Sequence, residues 1–199
     1  RFEIMKQFGY FVTESSEHSS EYYPWFIKKD HPELIDRFHI PLDEYPRRCR
    51  DQIARWKQQA EHLVHNENLT HTRSSEYAAG IIEALETGRT FGFAGNVLNT
   101  GLIDNLPFDA CVEVSCMVNE GHLSPCHMGP LPNQLAALNR RQIEVHQLTV
   151  DAALTRKKEY IYQAAMLDRH AGSELTIDEI RSLVDDLIQA HGDWLPEYH

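Results

Sequence analysis

The chain has 199 residues, 42% hydrophobic and 25% charged, a composition typical of one globular domain with a real core, and it argues against disorder. With 19 Lys and Arg against 30 Asp and Glu, the formal charge of -11 repels phosphate backbones and anionic lipid, so no nucleic acid and no membrane is expected as a partner. No apolar run nears the roughly 20 residues that cross a bilayer and no charged-then-apolar leader opens the chain, which makes the cytoplasm the expected compartment.

The first element is a helix over residues 1–8, where apolar side chains recur at helical spacing. Because the chain opens inside that helix, on Arg1 and not on Met, it reads as a fragment of a longer enzyme. Residues 8–22 then crowd acids, a histidine, hydroxyls and tyrosines beside an apolar run. A strand or helix end that delivers Glu14, Glu17 and His18 into a cleft supplies acid/base groups and hydrogen bonds for a polyhydroxylated ligand. The plain structural alternative is a solvated turn in which Ser15 or Ser16 caps a helix whose first turn is acidic.

Pro24, Pro32, Pro41 and Pro46 punctuate an irregular, partly helical stretch, whose Trp25, Phe26, Leu34, Ile35 and Phe38 call for cover by a second subunit. From Arg47 to about Asn66, Ile53, Trp56, Ala60, Leu63 and Val64 mark an amphipathic helix. A second begins near Ser74 or Ser75 and stops at Gly88. The period then changes to that of strands over 91–94 and 110–118, and Asn119-Glu120-Gly121 reads as the turn of a hairpin returning through 123–128. Helices follow over 131–139, 141–154 and 157–167, and Thr176-Ile177-Asp178-Glu179 has the form of a capping box before the last helix. The expected class is α+β, helix-rich with a small antiparallel sheet.

Four cysteines, Cys49, Cys111, Cys116 and Cys126, follow no disulfide or zinc-knuckle spacing and read as reduced thiols. A hairpin that gathered Cys116, His122, Cys126 and His127 would make a tetrahedral zinc set, but the spacing matches no known finger. Asn96 and Asn99 flank a Val-Leu pair, where their amides would bind sugar hydroxyls or nucleotide; Asn99-Thr100-Gly101 reads equally as a turn. Nothing has the G-x-G-x-x-G form of a dinucleotide loop.

Three runs carry a family resemblance. They are FGYFVTESSEHSSEYYPWF from Phe8, the Gly95–Pro107 run with its N-x-G-x-I-x-N-L-P pattern followed by Val112-Glu113-Val114, and Gly129-Pro130-Leu131-Pro132 leading to Leu135-Ala136-Ala137-Leu138. In order and along nearly the whole chain, they resemble the C-terminal region of glycoside hydrolase family 4, alpha-galactosidase branch. The resemblance implies the C-terminal fold of that family and of lactate dehydrogenase. It makes 1–199 a substrate-side and oligomerisation domain whose N-terminal, NAD-binding Rossmann partner is absent from this chain, and it implies a homo-oligomer.

The family is an exception to two-carboxylate glycosidases. The resemblance implies oxidation at C3 of the sugar by NAD, loss of the C2 proton to a base, elimination of the aglycone, addition of water and return of the hydride, with Mn2+ polarising the sugar oxygens. The family's metal-binding cysteine and histidine lie upstream of Phe8, so this chain is expected to be inactive alone and to bind neither cofactor. On the same footing the candidate catalytic residues are Glu17, His18 and Tyr10, the substrate contacts Glu14, Ser16, Tyr22 and Asn99, and the cofactor contact Asn96. The implied substrate is an unphosphorylated alpha-galactoside. A 6-phospho-glycosidase of the same family, a non-catalytic helical dimerisation module and a sugar or hydroxy-acid dehydrogenase stand as alternatives.

Overall fold

The computed structural model describes residues 1–66, 68–70 and 72–199. Its centre is a three-stranded antiparallel sheet in the order β1-β2-β3, formed by Phe91–Leu98, Cys111–Asn119 and His122–Pro125. Val112, Val114, Cys116 and Val118 alternate with exposed neighbours along β2, so the sheet has one core face and one open face. Pairing runs from Phe91↔Val118 to Leu98↔Cys111, and Asn119↔His122 closes the hairpin. Its two-residue turn is Glu120-Gly121, both at positive φ (29° and 81°), which is the twist a tight hairpin demands.

Nine α-helices are described around the sheet: α1 (Phe2–Phe8), α2 (Ser16–Tyr22), α3 (Glu33–Phe38), α4 (Glu44–His65), α5 (Tyr77–Thr87), α6 (Asn133–Thr155), α7 (Lys158–Leu167), α8 (Ala171–Glu174) and α9 (Ile177–His191). The core joins the inner face of β2 to Ala136 and Ile143 of α6 and to Ile103, Leu106 and Ala110 of the β1–β2 loop. α7 packs on α6, and α9 packs on α7. The chain returns to this pair at its end, where the His199 N–H donates to Arg156 O and its carbonyl accepts from Lys158 N, both at 2.9 Å.

The helix-rich α+β class with a small antiparallel sheet is what the structure shows. Several boundaries differ from expectation. The two helices expected over 131–154 are one, because Arg140 and Arg141 are good helix formers and no proline or glycine interrupts them; the stop comes at Arg156, in the left-handed conformation. α5 begins at Tyr77 because the Ser74 hydroxyl accepts from Glu76 N, making a turn ahead of the helix and not a cap on it. β1 continues to Leu98, four residues beyond the expected strand.

In the proline-punctuated stretch four of the five apolar side chains are covered within the chain. Phe26 is buried and meets Phe38 edge to face at 5.2 Å, Leu34 and Ile35 are half-buried, and Trp25 alone of the five is exposed. No zinc set forms. Cys116 is fully buried, His127 Nε2 lies 2.7 Å from Asp104 Oδ1, and among the described residues no three His, Cys, Asp or Glu side chains converge as metal ligands. All four cysteines are free. No described helix is long and apolar enough to cross a membrane.

Candidate functional site

α1 ends on Gly9 at φ 80°, a left-handed cap open to glycine, whose N–H donates to Met5 O. The chain then runs extended over α6 and re-enters a helix at Ser15. The Ser15 hydroxyl accepts from His18 N at 3.2 Å, so Ser15 is the N-cap of α2. Glu14 Oε1 accepts from Ser15 N at 2.7 Å and lies 3.2 Å from His18 Nδ1. The His18 and Tyr22 rings are 6.2 Å apart and tilted. Glu14, His18 and Tyr22 thus form one stripe at four-residue spacing, exposed along its length.

The electrostatics of that stripe limit its chemistry. The Ser15 backbone N–H, and then His18, hold the Glu14 carboxyl below the usual carboxylate range. Glu17 is also lowered, first by its own backbone N–H and then by the Ser15 hydroxyl. Both are therefore ionised at neutral pH: they accept hydrogen bonds from hydroxyl groups and do not donate protons. With Nδ1 of His18 turned to Glu14, Nε2 is the nitrogen available to a ligand.

The other face of α2 does different work. Ser16, Ser19 and Ser20 border a cleft of about 410 Å³ together with Arg1, Glu3, Arg37 and Phe38. Tyr10 lies elsewhere, in a smaller cleft of about 190 Å³ between the 10–13 segment, Tyr23 and Leu135, Leu138 and Asn139 of α6. The structure therefore brings Glu14, His18 and Tyr22 together and parts them from Ser16 and Tyr10. The expected delivery of Glu14, Glu17 and His18 into a cleft is not seen, since none of the three lines either cleft. The helix cap takes that place because Ser15 turns the chain and leaves the acids of the first turn facing outward.

Of the two asparagines, Asn96 is on the open face of the sheet, in register with Glu113. Asn99 is 1% exposed, and its amide is consumed within the β1–β2 loop. Its Oδ1 accepts from the N–H of Leu102 and Ile103, while Nδ2 lies within 3.2 Å of the carbonyls of Ile103, Leu106 and Pro107. The sugar contact expected of Asn99 is replaced by a structural role, because no donor or acceptor is left for a ligand.

Two features beside α2 carry no signal that the sequence reading recognised. Arg169 is 7% exposed, its Nε and Nη1 have no partner, and its guanidinium lies 4.5 Å over the Tyr23 ring. Burial is the main cause lowering its pKa. Tyr23 continues a stack through Trp25, parallel within 2° at 5.0 Å, to Phe8. The second feature is an ion pair between Lys28 and Glu174, reinforced by Lys29 N donating to Glu174 Oε2 at 2.9 Å. Partners 146 residues apart leave no local pattern in the sequence.

The described residues do not fit a metal or dinucleotide site of their own, since no ligand cluster converges and no glycine-rich loop opens a helix. Comparison with known proteins gives the chain its place. It is 59% identical over 198 residues to an alpha-galactosidase of Bacillus subtilis (strain 168), all of this chain against 46% of that protein. Among solved structures, a candidate glucosidase lplD from Bacillus subtilis superposes with a TM-score of 0.81 at 22% identity, covering 94% of this chain and 42% of the other. The 6-phospho-beta glucosidase of Thermotoga maritima, solved with manganese, NAD+ and glucose-6-phosphate, gives 0.64 at 20%, covering 86% and 40%. The chain spans less than half the length of the curated relatives just cited and of a further alpha-galactosidase, that of Rhizobium meliloti. Residues 1–171 match the family 4 glycosyl hydrolase C-terminal domain, and with the same fold in its structural neighbours the chain belongs to that family.

Proposed function

We propose that this chain is the substrate-side, C-terminal domain of an alpha-galactosidase that hydrolyses unphosphorylated alpha-galactosides in the cytoplasm by oxidation, elimination, addition and reduction. The observation that carries the reading is the 59% identity to an alpha-galactosidase, sustained over the entire chain. NAD and Mn2+ are assigned to an N-terminal NAD-binding domain of the complete protein, in keeping with a family neighbour that holds both. Among the described residues no three His, Cys, Asp or Glu side chains converge as metal ligands, in keeping with the proposal that this chain is inactive alone.

Within the domain, the proposed base is drawn from Glu17, His18 and Tyr10, while Glu14, Ser16 and Tyr22 bind sugar hydroxyls. Ionised Glu14 and Glu17 are suited to accept from those hydroxyls, and Glu14 orients the His18 ring. Asn96, on the open face of the sheet, is the proposed contact to the cofactor. A phosphorylated glycoside is disfavoured because Glu14, just ahead of α2, and Glu17 and Glu21 on it would repel a phosphate.

The test is an assay of the complete protein with NAD, manganese and a reducing agent, on nitrophenyl alpha-galactoside and on 6-phosphoglucosides. Turnover of the galactoside is the expected result, with none from this chain alone. Cleavage of the phosphorylated sugars only would overturn the substrate class, and cleavage of neither would favour a non-catalytic module.

A further inference from the structure

Arg169 sits in the short turn between α7 and α8. It is 7% exposed, and its Nε and Nη1 are buried without a hydrogen-bond partner. A guanidinium stays charged at any pH the fold survives, so its burial is not relieved by loss of a proton. An uncompensated interior charge is strongly unfavourable, and folded proteins meet it with a counter-charge and hydrogen bonds.

The described residues supply neither. Asp168 is adjacent, but its Oδ1 accepts from His170 N at 3.0 Å and from Ala171 N at 2.8 Å. Its influence on Arg169 is smaller than that of the like-charged Arg141, and no ion pair among the described residues includes Arg169. The Tyr23 ring takes one face of the guanidinium at 4.5 Å and leaves the N–H groups, which lie in the plane of the group, without an acceptor. One residue on, His170 Nδ1 is a further buried atom without a partner.

A water molecule accepts a hydrogen bond from Nε or Nη1 but carries no charge, whereas an anion does both. Neither cleft beside α2 is lined by Arg169, so the room at its nitrogens suits a monatomic ion and not a phosphate. We propose that Arg169 binds a halide ion, chloride in ordinary salt, at its two unpartnered nitrogens. Tyr23 is the C-cap of α2, so the ion steadies the end of the helix that carries His18 and Tyr22. The inference goes beyond the enzymatic reading, and its test does not read activity.

The test compares the full chain in sodium chloride and in sodium gluconate at equal ionic strength, which equalises screening. Chloride is expected to raise the melting temperature by about 3–5 °C, the shift given by a ligand at about ten times its Kd. Arg169→Met keeps the bulk and removes the charge, so it is expected to fold and to melt alike in the two salts. In a crystal soaked in sodium bromide, the expected result is a bromide within hydrogen-bonding reach of Arg169 Nε or Nη1. No shift in the wild type overturns the proposal, and so does a shift shared by Arg169→Met, which is a general salt effect. Should that variant not fold, the bromide position in the wild type decides alone: water only, or a protein carboxylate, at those nitrogens overturns the proposal whatever the melting data.

Discussion

Asn99 shows how much one side chain does where a loop must be buried. Its amide replaces the secondary structure that the β1–β2 loop lacks, by satisfying the N–H of Leu102 and Ile103 and the carbonyls that follow. Alanine in its place leaves one buried and one half-buried donor unpaired, a buried one costing about 1–3 kcal/mol. Asn99→Ala is therefore expected to lose about 3 kcal/mol in urea unfolding; a loss below about 1 kcal/mol would mean that water replaces the amide without penalty. The sequence places Asn99 in a turn or on a ligand, and both readings follow from its chemistry. Depth decides between them, and depth is set by Ile103, Leu106 and Ala110 folding over the sheet, which no local pattern records.

At the scale of elements, the local rules that succeed are those whose cause is local. The capping box is formed as its spacing requires, with Thr176 Oγ1 accepting from Glu179 N and the Glu179 carboxylate accepting from Thr176 N. Gly88 stops α5 in the left-handed conformation for the same kind of reason. Rules fail where tertiary packing intervenes, and α8 offers a case with a definite sign. Propensity alone says that Gly172→Ala should stabilise a helix by about 1 kcal/mol. A Cβ on Gly172, however, would stand 2.9 Å from the Met166 carbonyl oxygen, a backbone atom that cannot swing away. The crowding is of a kind that costs about 1–3 kcal/mol and outweighs the propensity, so Gly172→Ala is expected to lower the melting temperature. A rise would show that the α7–α8 junction yields.

For the whole molecule, α2 lies near the start of the chain while much of what braces its surroundings comes from the last fifth. Its cap and acidic stripe are legible in the sequence; Arg169 under Tyr23 and the clip between Lys28 and Glu174 are not, because they join segments about 146 residues apart. That clip predicts an acid response. The Lys28 ammonium, and then the Lys29 N–H, lower the Glu174 carboxyl to about 2 from an ordinary 4.5. A carboxyl whose folded pKa is depressed stabilises the fold above its unfolded pKa, so the contribution is full at neutral pH and is lost as pH falls from 4.5 toward about 2. Glu174→Gln removes the charge and keeps the shape. Its urea midpoint is expected to fall below that of the wild type at neutral pH, with the gap closing across that acid interval and not before it. A gap unchanged by pH would mean that the contact stabilises through packing alone, and no gap at neutral pH would mean that the N-terminal segment is held to the C-terminal helices by the Tyr23 and Arg169 stack instead.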